Sequence, residues 1–177
     1  MAYDATRHHR RTVRLKDWDY SWPWWYYVTI CVQHKGSLLG HIVNENMVRN
    51  DLGDIVNESW LWLPQQYPYV ELDEFQILPD HLHGIIVINE PRRGGSRTAP
   101  TDGQKVKPLG GLIGAFKTVS TKQINKIRNT PGISFWQRSF HDHIIRNEAD
   151  LYRIREYIKN NPLQWDIEKE GRSEGGE

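Results

Sequence analysis

Cysteine is almost absent. Cys31 is alone among 177 residues, so no internal disulfide holds the chain, and a reducing compartment suits that usage. Long apolar runs are missing too. None approaches the ~20 residues needed to cross a bilayer, which excludes a transmembrane helix. Residues 1–16 are polar and basic with no apolar stretch, which reads against a secretory signal. The expected location is cytoplasmic and nucleoid-associated. The chain is thin in aliphatic side chains and rich in aromatics, with eight Trp and eight Tyr. A chain of this length buries a core unaided, and its composition excludes collagen-like, disulfide-scaffold and generic disordered classes.

Net charge is also nearly absent, at +1, but its distribution is uneven. Residues 92–138 carry ten Lys and Arg against Asp102 alone, and residues 1–16 carry five against Asp4. Residues 39–80 carry eight acids against Arg49. This split suggests a basic face for a polyanion, masked in the total by an acidic remainder.

The pattern divides the chain into a basic arm over residues 1–21, one domain over 22–165, and an acidic tail over 166–177. Tyr26 to Val32 is aromatic and β-branched and predicts a strand. Leu38 to Val43 predicts a second. Asp51 to Leu63 has helical spacing, with Asn50 as N-cap and Pro64 as terminator. Val70 to Leu78 and His81 to Ile88 predict two more strands. Residues 89–108 are rich in Gly, Pro and Arg and predict a long mobile loop. A helix is expected over Leu109 to Ile127, a strand within Ser134 to Ile145, and a last helix capped by Asn147 and ended by Pro162. Strand pairs joined by short turns, with helices packed on them, predict an α+β fold with an antiparallel sheet.

Three constellations carry chemistry. His81 and His83 sit at i and i+2 of a predicted strand and therefore on one face, where two imidazoles can bind one metal ion or clamp a phosphate. Tyr157 and Asn161 lie one turn apart on the last helix. Tyr152, five residues before Tyr157, points about 140° away and cannot face the same site. The third is a run of cations with aromatics: Lys117 and Lys122, then Trp136 beside Arg138. Aromatics stack on unpaired bases while cations follow the backbone.

Residues 78–87, with His81-Leu82-His83 at their centre, resemble the His-hydrophobe-His block of the IS200-like transposases, which belong to the HUH endonuclease class and use one tyrosine. Residues 136–147, Trp-Gln-Arg-Ser-Phe-His-Asp-His-Ile-Ile-Arg-Asn, and residues 157–162, Tyr-Ile-Lys-Asn-Asn-Pro, resemble the corresponding blocks of its REP-associated tyrosine transposase branch. Together the likeness spans about residues 22–165. It implies a ferredoxin-like, RRM-like fold and an enzyme that cleaves and rejoins single-stranded DNA at hairpin-forming repeats through a 5′-phosphotyrosine, as in transposition. It implies Tyr157 as nucleophile, and His81, His83 and Asn161 as ligands of Mg2+ or Mn2+. His141 and His143 fall in the middle block as assisting or DNA-contacting residues. The wider group includes both homodimers and monomers. Two rival readings are a protein that holds a DNA or RNA hairpin without cutting it, and a metal-dependent phosphodiesterase that uses water.

Overall fold

The structure is a computed structural model that describes residues 15, 18–34, 36–90 and 106–173, with side chains up to 165. The basic arm up to residue 14 and most of the expected loop, residues 91–105, lie outside the described residues.

The central sheet has four antiparallel strands: β1 (Trp24–Cys31), β4 (Val70–Ile77), β5 (His81–Ile88) and β6 (His141–Ile144), in the order β4-β5-β1-β6. Helix α1 (Asp51–Gln66) connects β1 to β4, and α2 (Leu109–Arg128) connects β5 to β6. This strand order with these two crossovers is the ferredoxin-like arrangement expected from the sequence. A separate hairpin of β2 (Gly40–Val43) and β3 (Asn46–Arg49) precedes α1, and α3 (Glu148–Ser173) follows β6.

Alternation along the strands divides the protein into two layers. Tyr26, Val28 and Ile30 of β1, with Leu82, Ile86 and Ile88 of β5, face α1 and α2 in the larger core. Tyr27, Ile85 and Val87 face the other way and pack under Ile154 and Ile158 of α3. Among the described residues the second face is covered by one helix, and that helix carries Tyr157 across the histidine-bearing end of β5.

The starts of α1 and α3 follow their caps, while α2 begins after Pro108 with no side-chain cap. The Asn50 carboxamide oxygen accepts from the amides of Leu52 and Gly53 at 3.1 and 3.0 Å. Asn147 accepts from the Asp150 amide at 2.8 Å. The expected stops at Pro64 and Pro162 are wrong, because both prolines lie inside helices. Each removes one N–H from the ladder, a loss that tertiary contacts can outweigh. In α1 only two residues follow Pro64, and the Tyr67 amide closes the end on Leu63 O. In α3 the turn beyond Pro162 brings Trp165 against His81, with ring centroids 5.6 Å apart. Residues 166–173, expected as a plain acidic tail, therefore continue this helix.

The strand expected within Ser134–Ile145 is shorter than its composition suggests. Only His141–Ile144 joins the ladder, preceded by an isolated bridge between Val32 and Trp136. The carbonyls of Gln137 and Ser139 turn aside to accept from Lys117 Nζ, at 2.8 and 3.1 Å. Strand β3 was not expected, since its turn, Asn44-Glu45, holds two non-glycine residues at positive φ.

Gly84 sits in β5 directly beneath Trp60 of α1. A β-carbon there would stand 2.6 Å from Trp60 Cζ2 and 3.1 Å from Phe75 Cβ. Both neighbours are held in the core, so Gly84→Ala should destabilise the protein by about 1–3 kcal/mol through overpacking. Thermal unfolding of the two proteins measures this, and an unchanged midpoint would show that α1 can lift off the sheet at no cost.

Candidate functional site

Cross-strand register builds the site. Thr29 pairs with His83 across β1 and β5, and residues directly opposite share a face. Tyr27 lies two residues earlier on β1, on the same face. From there Tyr27 Oη reaches His83 Nδ1 at 2.7 Å, and Thr29 Oγ1 reaches it at 2.9 Å. Thr29 also donates to Tyr27 Oη at 3.1 Å. His83 is only 4% exposed, and this burial, with the neighbouring charges of His81 and His141, lowers its pKa to about 3. The ring is therefore neutral at any physiological pH. Tyr27 is pushed up well above the usual phenol range, mainly by burial, and remains a neutral hydroxyl.

His81 is held differently. Its Nδ1 lies 2.6 Å from Asp80 Oδ1, and a carboxylate can only accept, so Nδ1 carries the proton. That leaves the lone pair on Nε2. The two Nε2 atoms, of His81 and His83, face each other 2.9 Å apart. Two ligands at about 2.1 Å from one ion, in adjacent octahedral positions, would stand about 3 Å apart. With both Nδ1 atoms engaged by a carboxylate or hydroxyls, this pair has the donor chemistry and the oriented partners of metal-ligating histidines. Among the described residues no three His, Cys, Asp or Glu side chains converge on one point. A further ligand drawn from the described residues would be of another kind, such as an amide oxygen.

Helix α3 lies over this pair. The Tyr157 ring stands edge-on to His83 at 5.3 Å and to Tyr27 at 6.3 Å between centroids. Trp165, two turns on, covers His81. Asn161 falls between them on the same helical stripe and is 6% exposed. The structure thus brings His81, His83, Tyr157 and Asn161 to one place. Tyr157 keeps 42% of its surface accessible. Tyr152 is 67% exposed and lies off this stripe, in agreement with the rotation argument.

The two histidines of the middle block differ. His143 Nε2 binds Asp150 Oδ2 at 2.8 Å, and Asp150 also accepts from Arg153 at 2.6 Å. His143 thereby ties β6 to the first turn of α3. His141 pairs with Thr29 on the site's face of the sheet, and its side chain is exposed.

The four basic and aromatic candidates also converge, on the other side of the sheet. Lys117, Lys122, Trp136 and Arg138 line a groove of about 800 Å³ beside α2, joined by Lys126 and with no acid in its lining. Lys122, Lys126 and Arg138 are exposed. Trp136 does not offer a stacking face, contrary to the expectation. It is 2% exposed, packs on Phe116, and donates its indole N–H to Ser120 Oγ at 2.8 Å. Lys117 is turned inward onto the backbone carbonyls of Gln137 and Ser139, and burial lowers its pKa to about 8.

Sequence reasoning missed the residues that hold the site. Tyr27 and Thr29 alternate on β1 as His81 and His83 do on β5, but only register pairs them. Asp73 and Arg155 form a two-pronged ion pair at 2.7 and 2.6 Å, and Lys159 reaches Glu74 at 3.2 Å, so α3 is clamped to β4 from the acidic segment. The hydrogen bond from Arg155 holds the Asp73 carboxyl below the usual range. A lowered carboxylate adds stability above its unfolded value of about 3.9 and loses it as pH falls through the folded value. Asp73→Asn should therefore cost about 1 kcal/mol at neutral pH, with the gap closing in acid. Urea unfolding of both proteins at neutral pH and below pH 3.9 tests the sign, and a gap that widens in acid would refute it.

No family model matches the chain. An uncharacterized Haemophilus influenzae protein is 40% identical over 172 residues, covering 93% of this chain and 94% of its own. A second protein of that organism, provisionally named a REP-associated tyrosine transposase, is 29% identical over 134 residues, covering 70% of this chain and 68% of its own. Among solved structures, a REP-associated tyrosine transposase bound to a REP hairpin superposes with a TM-score of 0.56 at 17% identity, over 80% of this chain and 68% of that one. That likeness speaks to the fold, and the sequence likeness runs through both Haemophilus proteins. The chain is thus similar in sequence to one protein named for the REP-associated tyrosine transposases, and it shares its fold with a solved one.

Proposed function

We propose that this protein cleaves and rejoins single-stranded DNA at hairpin-forming repeats, using Tyr157 as nucleophile and a divalent ion held by His81 and His83. The observation that carries the reading is the accessible Tyr157 ring standing edge-on to the buried His83 of the same chain. A nucleophile and two convergent imidazoles then share one site without help from a second copy, which supports action by a monomer in cis.

His81 and His83 would hold the ion through their facing Nε2 atoms, and Asn161 is the amide on the overlying stripe, between Tyr157 and Trp165. Two imidazoles suit Mn2+, while Mg2+ would draw more on oxygen ligands and water. Such an ion, when bound, neutralises charge on the oxygens of the scissile phosphate. The chain's own part is to fix direction. Tyr27 and Thr29 hold His83, Asp80 holds His81, and the two clamps to β4 fix α3, so the Tyr157 phenol approaches from a set side.

In the reaction Tyr157 Oη forms a bond to phosphorus as the bond from phosphorus to the 3′ oxygen breaks. The phenol proton passes to solvent, and the departing oxygen takes one to become a 3′ hydroxyl. The phosphotyrosine retains a phosphodiester, so a later attack by a 3′ hydroxyl rejoins a strand without ATP. The α2 groove, with cations and no acid, suits the phosphates of a paired stem. The hairpin-bound neighbour supports such a partner.

Incubating the protein with end-labelled hairpins from the repeats flanking its gene, with Mn2+ or Mg2+, tests the chemistry on a denaturing gel. A labelled band migrating with the protein should form, require metal, and vanish for Tyr157→Phe and His83→Ala. Cut DNA free of protein, unaffected by Tyr157→Phe, would favour the water-using phosphodiesterase. Binding without any cutting would favour a hairpin-holding protein.

Groove contacts have a separate readout. Lys122→Ala and Lys126→Ala should each weaken hairpin binding about equally across stem sequences and lower the slope of log affinity against log salt by about 1. Unchanged slopes in both would place the stem elsewhere.

A further inference from the structure

Helix α3 crosses the second face of the sheet at a slant. Its first turn is tied to β6 by His143 and Asp150, and it reaches β4 where Asp73 and Glu74 hold Arg155 and Lys159. Tyr27, Ile85, Val87, Ile154 and Ile158 close the part of the face beneath it. Further along β1 the face turns polar. Thr29 and Cys31 follow, opposite His83 and His81. Tyr157 and Trp165 lie over the two histidines. On the β6 side, by contrast, Thr29 and Cys31 are half-buried and His141 is exposed. Among the described residues, that corner is the way in to the histidine pair.

His141 stands at this entrance. His143, two residues on, is bound to Asp150, and His141 has no such partner among the described residues. It pairs with Thr29, whose other neighbour across β1 is His83. Residues directly opposite share a face, so His83, Thr29 and His141 form one row over three strands. Two strand spacings, roughly 10 Å, separate the outer two. The charge of His141 is felt at His83, in keeping with that row. Thr29 and Cys31 are short, so the row encloses a trough with imidazoles on both banks. An ion about 2.1 Å from its ligands and a hydrogen bond of about 2.8 Å leave space in that span for one phosphate. Residues 137–141 also lead from the basic groove to β6, and the Gln137 amide donates to Cys31 O at 3.0 Å. A strand coming from the groove therefore meets His141 before the pair.

The proposed cleavage needs a proton at this point. The 3′ oxygen leaves as an alkoxide unless a donor protonates it. Imidazole can give a proton near neutral pH and take it back. His81 and His83 cannot serve, because their nitrogens face each other or are held by Asp80, Tyr27 and Thr29.

We propose that His141 donates the proton to the departing 3′ oxygen, and removes it again when a 3′ hydroxyl attacks the phosphotyrosine. In cleavage Tyr157 Oη bonds to phosphorus. The bond from phosphorus to the 3′ oxygen breaks with its electron pair on oxygen, and a ring nitrogen of His141 passes its proton there. Rejoining reverses each step. This inference rests on the tyrosine-transfer reading above, and leaving-group chemistry separates the two. Two hairpins are compared in single turnover with Mn2+, one ordinary and one with sulfur in place of the 3′ oxygen at the cleaved bond. A thiolate departs without a proton. His141→Ala should cut the ordinary hairpin about 10²-fold more slowly than the wild type, and the sulfur hairpin at the wild-type rate. Hairpin affinity without metal, read by fluorescence anisotropy, should not change. His141→Gln keeps a hydrogen-bonding side chain but cannot relay a proton. It should match the alanine variant, and it covers the case in which alanine disturbs the edge strand. An equal deficit on both hairpins, or none on either, would overturn the role of His141 alone. No protein-linked product from the wild type on either hairpin would overturn the tyrosine reading and this inference with it.

Discussion

The hydrogen bonds that Tyr27 and Thr29 make to His83 are the constraint on which the site depends. A buried imidazole with no partner at Nδ1 would cost several kcal/mol and would be free to turn. Two hydroxyls from the adjacent strand remove both problems and aim Nε2 at His81. They can do so only in one register. A slip of one residue between β1 and β5 would send Tyr27 and Thr29 to the α1–α2 side and leave His83 without partners. The aromatic core below the sheet, with Trp60 closed over Gly84, is what forbids that slip. Packing on one face therefore fixes chemistry on the other.

Much of this was legible in the sequence, and the limit falls at contacts between distant residues. Period-two spacing put His81 and His83 on one face, and helical spacing joined Tyr157 to Asn161. Both are local statements about one element, and the structure agrees with them. The partners Tyr27, Thr29, Asp73 and Arg155 come from elements far apart in the chain, and no local pattern marks them. Trp136 shows the reverse error. An aromatic among cations reads as a stacking platform, but its indole N–H finds Ser120 on α2 and the ring enters the core. Pro162 misled for a related reason. Its local cost to the helix is real, and the packing of Trp165 on His81 outweighs it.

The uneven charge has two physical uses, and only one was anticipated. Lys117, Lys122, Lys126 and Arg138 of the basic stretch collect on α2 and the 131–138 turn as a groove without acids. The acidic segment is more than a solvated remainder. Asp73 and Glu74 on β4 meet Arg155 and Lys159 on α3, one helical turn apart, and set the height of that helix above the sheet. Because Tyr157 lies between those two cations on the same helix, the clamp also positions the phenol.

The sheet separates two tasks while keeping them close. The basic groove lies on the α2 side, and the histidine pair on the α3 side, yet both reach the same end of β1. Cys31, the last residue of that strand, pairs with His81, and its carbonyl accepts from the amide of Gln137, which lines the groove, at 3.0 Å. Under the proposed function, a paired stem on the groove would need only to send its single strand around this end to meet Tyr157. The duplex would then be recognised through its phosphates, on a surface whose lysines need no exact geometry. The reacting strand would enter a site where both histidines are fixed by further side chains. A thin sheet with α1 and α2 on one face and α3 on the other gives both environments in one small domain.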